Sequence, residues 1–321
     1  MATMRLSVCV PVHDVAPFVG RCARSLFSQT VREGIEFVFV DDGSRDASVD
    51  EIDRALLEFP ERACAVKIVR LPQCGGIGAA RNRAMDEACG LYFAHCDADD
   101  WVEPTMYERL LAAVETSCAD VAYCGMTVEN RDGTWCKLNI PAYSSAREFV
   151  AAEMPSPIFN SPCNKIYSAA LLKRAGARFS EDVSVGSDLL FNAAVFRKAG
   201  KIVACGVSPY HYRYNANSVS HRRAVSDGRA IIGFTDRIPI LYPEPVYADA
   251  RDRLYRNALL AGLRYGLLSS DEYRAMRCRL KGASWNDPRY GMGKRVLLAI
   301  GDYSPCVARC LAKSFSFLSS L

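Results

Sequence analysis

Residues 6–12 form an apolar, β-branched run that stops at His13-Asp14. The following segment, residues 17–30, sets Phe18, Cys22, Leu26 and Phe27 on one helical face. The alternation then repeats. Residues 35–40 are apolar apart from Glu36 and end in Asp41-Asp42-Gly43-Ser44, before a helical pattern over 47–59 and a mostly apolar run over 65–71. The glycines Gly75-Gly76-Ile77-Gly78 precede a helix over 79–88, and a further apolar run from Leu91 ends in Asp97-Ala98-Asp99-Asp100-Trp101. Nearly all-apolar strands alternating with helices predict an α/β domain, its mostly parallel sheet flanked by helices. Ligands of such sheets bind beyond the carboxyl ends of the strands. Each polar cluster falls at one of those ends.

The pattern continues with a helix over 105–116, a strand over 121–123 and a hairpin turn at Asn130-Arg131-Asp132-Gly133. Between Pro141 and Ser187 it loses regularity, and the Pro, Ser and Asn content reads as loops over a site. A helix over 189–198 and strands over 202–204 and 210–214 follow. From His221 onward only helices are expected, near 223–241, 246–267, 271–280 and 293–318. The expected division is therefore an α/β domain over 1–220 and an all-helical region over 221–321.

Composition changes this picture in two places. Residues 221–321 hold 17 Lys and Arg against 9 Asp and Glu, or +8, which leaves 23 against 27, or −4, for residues 1–220. A basic helical region suits an anionic membrane surface or an anionic acceptor, although a solvated face is the commoner reason for such charge. The 14 cysteines stand singly in apolar runs with no zinc-site spacing, as small buried hydrophobes of a reducing compartment do. No export signal precedes His13-Asp14, and the apolar stretch 296–318 is broken by Asp302, Pro305, Arg309 and Lys313. The expected location is the cytoplasm, with the protein either soluble or peripheral to the inner face of the cell membrane, and no nucleic-acid partner is expected.

Three carboxylates within residues 97–100 repel one another unless a cation lies between them. Mg²⁺ or Mn²⁺ takes oxygen ligands and bridges to phosphate, so a metal-diphosphate site is one reading; a polar loop capping the next helix is the other. Asp41-Asp42 suits a nucleobase or ribose, or else a turn. Arg81 and Asn82 suit phosphate, or else a solvated helix face. Asp188, in Gly186-Ser187-Asp188, suits a general base or a helix N-cap. The glycine run resembles a dinucleotide-binding turn, but Arg81 stands where that turn needs a small residue.

Taken in order, Ser7-Val8-Cys9-Val10-Pro11-Val12-His13-Asp14, Ser28-Gln29-Thr30, Val40-Asp41-Asp42-Gly43-Ser44, Gly75-Gly76, Ala80-Arg81-Asn82, Asp97-Ala98-Asp99-Asp100-Trp101, Asn164-Lys165 and Gly186-Ser187-Asp188 resemble a family 2 glycosyltransferase of the GT-A fold, of the kind that builds bacterial surface polysaccharides. The resemblance implies an inverting enzyme with a nucleotide-diphosphate sugar donor, most often UDP-linked, and a glycan or lipid-linked acceptor. It implies Pro11, Val12, His13, Asp14, Asp42, Ser44, Arg81, Asp97, Ala98 and Arg213 around the nucleotide sugar. Asp97 and Asp99 would hold Mg²⁺ or Mn²⁺, with Asp100, Trp101, Asn164 and Lys165 near the sugar or acceptor and Asp188 as the base. Ser187 stands where the family usually has Glu, and Glu181 or Asp182 is a candidate replacement. A sugar-nucleotide-binding scaffold without catalysis is the competing reading.

Overall fold

The computed structural model describes residues 3–154, 156–182, 186–215, 226–280, 282 and 284–314, and their side chains except at 226–230 and 313–314. The chain divides into two compact units, Met1–Val150 with Ser156–Ala216, and Ala151–Pro155 with Asn217–Leu321. The expected boundary at 220/221 and His221 lie outside the described residues.

In the first unit, β1 (Leu6–Val12) is buried at all seven positions, as a central strand covered on both faces must be. Each fully buried Val or Leu there contributes about 1.5–3 kcal/mol. After α1 (Ala16–Phe27) come β2 (Ile35–Asp41), α2 (Ser48–Leu57), β3 (Val66–Arg70), α3 (Ile77–Glu87) and β4 (Tyr92–His95). Strands β4, β1, β2 and β3 lie side by side, all parallel. Register then aligns their ends. Val12 pairs with Asp41, and Cys9 with His95, so His13, Asp42 and Asp97 all emerge on one side of the sheet.

β5 (Trp101–Val102), α4 (Met106–Ser117), β6 (Val121–Tyr123), β7 (Met126–Glu129) and β8 (Trp135–Leu138) follow. The turn between β7 and β8 falls at Asn130–Gly133 as expected, with Gly133 at φ +81°. The interval 141–187 is more regular than its composition predicts. It contains α5 (Ala146–Glu153), α6 (Pro157–Asn160), β9 (Lys165–Ser168) and α7 (Ala169–Ala175). β9 runs antiparallel between β4 and β6, with Ile166 opposite both Ala94 and Ala122. α8 (Ser187–Lys198), β10 (Ile202–Ala204) and β11 (Tyr210–Tyr212) complete the unit. The main sheet has the order β10-β6-β9-β4-β1-β2-β3, and a smaller one the order β5-β11-β7-β8.

The second unit is helical among its described residues: α9 (Ser226–Leu241), α10 (Ala248–Tyr265), α11 (Ser270–Arg277), α12 (Met292–Tyr303) and α13 (Pro305–Ser314). The single helix expected over 293–318 is two helices. Ser304 is extended, at φ −145° and ψ 101°, because the ring of Pro305 excludes a helical residue before it. Gly301 is the contact point of α12: a Cβ there would lie 2.5 Å from Tyr273 Oη.

Candidate active site

Two loops leaving β1 and β2 are laced together by short polar side chains. Asp14 N–H donates to Ser44 Oγ at 3.2 Å, Arg45 N–H to Asp14 Oδ1 at 2.8 Å, and Ser44 N–H to Asp41 Oδ1 at 2.9 Å. His13 Nδ1 lies 2.8 Å from the Asp42 carbonyl oxygen, so that nitrogen carries the proton. The Asp42 carboxylate is buried and accepts from Gly75 N–H at 2.6 Å and Gly76 N–H at 2.8 Å. These glycine amides, at the start of α3, are the donors a dinucleotide turn would offer to phosphate. Asp42 occupies them instead.

Arg81, on the first turns of α3, is only 2% exposed and donates to Asp97 Oδ1 at 2.7 Å and to Asp188 Oδ1. Its Cζ also lies 5.0 Å from the centre of the Phe179 ring. Burial works against this cation, yet the charges of Asp188 and Asp97 hold it protonated above the usual arginine range. Asp188 is half-buried in the first turn of α8, where it does not act as the N-cap; Gly186, at φ +88°, holds that position. Burial pushes Asp188 above the ordinary carboxylate range, with Arg81 opposing and Asp97 reinforcing the shift. Asn82, the other residue expected to meet phosphate, clamps Phe179 by two backbone bonds of 3.0 and 2.9 Å and bonds Glu181 Oε1 at 3.0 Å.

Around Asp97 the loop is tied to β11. Asp100 accepts from the Tyr210 hydroxyl and from Arg213 N–H at 2.8 Å, while Asp99 accepts from Asn215 Nδ2 at 2.9 Å. Burial, followed by the neighbouring carboxylates, pushes Asp99 above its usual range and Asp100 well above it. The Arg213 guanidinium lies 4.8 Å from the Phe18 ring centre and 3.7 Å from Glu129. Val12 and Ala98 are buried, and Pro11 continues β1 beyond its last pair with β4.

Four residues expected near the sugar or acceptor are engaged by contacts within the protein. Lys165 is wholly buried and donates to the carbonyls of Ile158 at 2.5 Å and Ser161 at 2.6 Å and to Asn164 Oδ1 at 2.8 Å. Asn164, equally buried, donates to the Cys124 carbonyl at 2.7 Å. Lys165 thus fastens the 158–161 turn to β9, and Asn164 ties the start of β9 to the chain after β6. Asp100 is 2% exposed and anchors the carboxylate loop. Trp101 stacks on His211 with centroids 3.5 Å apart, and Arg21 Cζ lies 4.3 Å from its ring. Sequence reasoning missed Tyr210, whose place in the aromatic run Tyr210-His211-Tyr212 was the available signal.

Among the described residues, two groups of side chains are considered for their ligand chemistry toward a cation. Asp97 and Asp99 offer carboxylate oxygen, the donor type that Mg²⁺ or Mn²⁺ takes, and burial together with the charge of Asp97 raises Asp99, a cost that a cation there would relieve; Oδ1 of Asp97 is held by Arg81 and Oδ2 of Asp99 by Asn215, which leaves the other oxygen of each carboxylate for an ion. His13, Asp42 and Cys74 have potential ligand atoms within 4.8 Å of one another. Nitrogen and sulfur there suit a softer ion, but the Asp42 carboxylate is already taken up by the glycine amides.

Similarity to known proteins agrees with this arrangement. The chain is 28% identical to the uncharacterised glycosyltransferase EpsJ of Bacillus subtilis (strain 168), over 67% of this chain and 62% of that one. It is 26% identical to the poly(ribitol-phosphate) beta-glucosyltransferase of Bacillus spizizenii, over 65% and 32%. It thus spans less than two thirds of the length of these curated relatives. Among solved structures, S. aureus TarS 1–349 in complex with UDP-GlcNAc superposes with a TM-score of 0.67 at 18% identity, covering 97% of this chain and 91% of that one. That likeness makes the fold GT-A. The model of Glycosyl transferase family 2 matches residues 7–176, just over half of the chain. By that match, and by the conjunction of parallel strands ending in His13, Asp42 and Asp97, this chain belongs to glycosyl transferase family 2.

Proposed function

We propose that the chain is a metal-dependent, inverting glycosyltransferase. It moves a sugar from a nucleotide-diphosphate donor, probed first as UDP-linked, to a hydroxyl of a glycan or lipid-linked acceptor during assembly of a surface polysaccharide or glycolipid. The observation that carries this reading is the buried Arg81 holding both Asp97 and Asp188 at the carboxyl side of the sheet. The donor class is supported by the UDP-GlcNAc complex of TarS, and the acceptor class by the name of the poly(ribitol-phosphate) relative.

In this reading His13 and Asp42 border the nucleobase, and the α/β unit is the catalytic domain. Asp97 and Asp99 would hold the Mg²⁺ or Mn²⁺, which would supply Lewis-acid stabilisation of the departing diphosphate. Arg81 binds Oδ1 of Asp188 and thereby orients the carboxylate, whose other oxygen takes the proton of the acceptor hydroxyl. The acceptor oxygen bonds to the anomeric carbon as the bond to the diphosphate oxygen breaks, and the configuration inverts.

A second reading, a sugar-nucleotide-binding scaffold, draws on Ser187, whose hydroxyl is spent on the Ser180 carbonyl at 3.3 Å. One experiment separates the two. Thermal shift with UDP, GDP, UDP-sugars and NAD, with and without Mn²⁺, reads donor binding by mass action, and release of UDP from the stabilising donor in the presence of acceptor extracts reads turnover. Metal-dependent stabilisation with UDP release supports the transferase. Stabilisation without release supports the scaffold, and stabilisation by NAD alone refutes both.

A further inference from the structure

The loop between β3 and α3 brings Cys74 against His13 and Asp42. Gly43 allows the close approach: it sits at φ +71°, and a Cβ there would lie 3.3 Å from Cys74 N. The Cys74 thiol donates to Asp42 Oδ2 at 3.3 Å. Among the described residues this is the one group of three imidazole, thiol or carboxylate side chains whose ligand atoms lie within 4.8 Å of one another. His13 and Cys74 are exposed and Asp42 is buried, so two of the groups can adjust around an ion while the third is held in place.

Each group is prepared as a ligand. The Nδ1–H of His13 is spent on the Asp42 carbonyl at 2.8 Å, which leaves the ring lone pair on Nε2. Metal-ligating histidines are set in this way, their tautomer fixed by a carbonyl on the other nitrogen. A carboxylate has about four lone-pair sites. Gly75 N–H takes one on Oδ1 of Asp42 and Gly76 N–H one on Oδ2, where the Cys74 proton takes another. That proton stands where an ion shared by sulfur and oxygen would stand. On binding, the S–H bond breaks, the sulfur donates the electron pair to the ion, and the proton leaves to solvent. Asp14 Oδ2, 3.7 Å from His13 Nε2, adds negative charge at the rim. One imidazole, one carboxylate and one thiolate suit Zn²⁺ rather than Mg²⁺ or Mn²⁺, which take oxygen, and leave a fourth tetrahedral position open. We propose that His13, Asp42 and Cys74 form a Zn²⁺ site and that an ion there excludes the nucleobase of the donor, a consequence that rests on the placement of His13 and Asp42 beside that base.

The test uses the full chain and the metal alone. Zn²⁺ affinity is measured by competition with a chromophoric chelator, and Co²⁺ in place of Zn²⁺ reports a thiolate ligand through its sulfur-to-metal charge-transfer band. Cys74→Ser keeps a hydroxyl donor for Asp42 Oδ2 and removes the thiolate, so its melting temperature and its UDP affinity with Mn²⁺ should match wild type. The expected result is a cobalt band that the variant lacks, Zn²⁺ affinity at least about tenfold lower in the variant, and UDP affinity that falls with added Zn²⁺ in wild type alone. Equal Zn²⁺ affinity in the two proteins would mean an adventitious ion only and overturn the site. Equal loss of UDP binding in both would place the Zn²⁺ effect at Asp97 and Asp99 and overturn the exclusion, as would a wild type that holds Zn²⁺ and UDP together. Because the cobalt band needs no nucleotide, a chain that fails to bind UDP would count against the donor reading and not against the site.

Discussion

The Arg81 guanidinium donates to Asp188, 107 positions along the chain, and its other terminal nitrogen donates to Asp97. One buried cation thus fixes the candidate base and a candidate metal ligand. Arg81→Met removes that cation and leaves two carboxylates repelling each other. The loss is expected to be about 2–3 kcal/mol, below the range for fully buried pairs because Asp97 and Asp188 keep some solvent contact. Arg81→Lys keeps the charge without the two-pronged geometry, so it should recover stability more than transfer activity. Urea denaturation and UDP release, measured on both variants, check this.

Asp188→Asn preserves size and removes the basic oxygen. Donor binding should be unchanged and turnover should fall about 10²- to 10⁴-fold, the usual worth of a general base. Because burial raises Asp188 above the ordinary carboxylate range, the acid limb of the wild-type kcat profile should lie above that range as well. Normal turnover in the variant would move the base to another residue.

Asp97→Ala and Asp99→Ala should each abolish the metal-dependent part of UDP binding. Asp97→Ala also frees Arg81, so its stability needs separate measurement. Asp99→Ala removes a carboxylate strained by burial and by Asp97, and should leave the melting temperature unchanged or raised. Wild-type UDP affinity in either variant at saturating Mn²⁺ would refute the ligand assignment.

Strands β1, β2, β3, β4 and β6 were legible because each is a mostly apolar run, and such patterning is local information. β9 was not. It is four residues long and opens with Lys165, whose burial is tolerable only because carbonyls from 158–161 converge on it. Arg81 looked like a phosphate ligand for a related reason: an arginine near a helix start reads the same whether it faces solvent or a carboxylate 107 residues away. The break at Ser304 had a local cause in Pro305 and was open to reading. Where the decisive contact is local, sequence suffices; where it depends on which strands become neighbours, it does not.

His95 offers a stability test independent of ligand. Its ring is fully buried edge-on against the stacked rings of Phe179 and Phe191, with centroids 5.0 and 5.9 Å away, and neither nitrogen has a hydrogen-bond partner among the described residues. Burial, helped by the charge of Arg81, lowers its pKa to about 3. The unfolded imidazole protonates near pH ~6.5, so the native state binds fewer protons between that value and about 3. The stability this represents is complete above pH ~6.5 and is lost as the pH falls, at up to about 1.4 kcal/mol per unit. Asp99 and Asp100, whose pKa values are raised, act with the opposite sign, but they are common to wild type and variant and cancel in the difference. His95→Leu should therefore flatten the profile, so that between pH 7 and 5 wild type loses about 2 kcal/mol more than the variant. Urea titrations at the two pH values measure this, and equal losses would mean that His95 is protonated inside the folded protein.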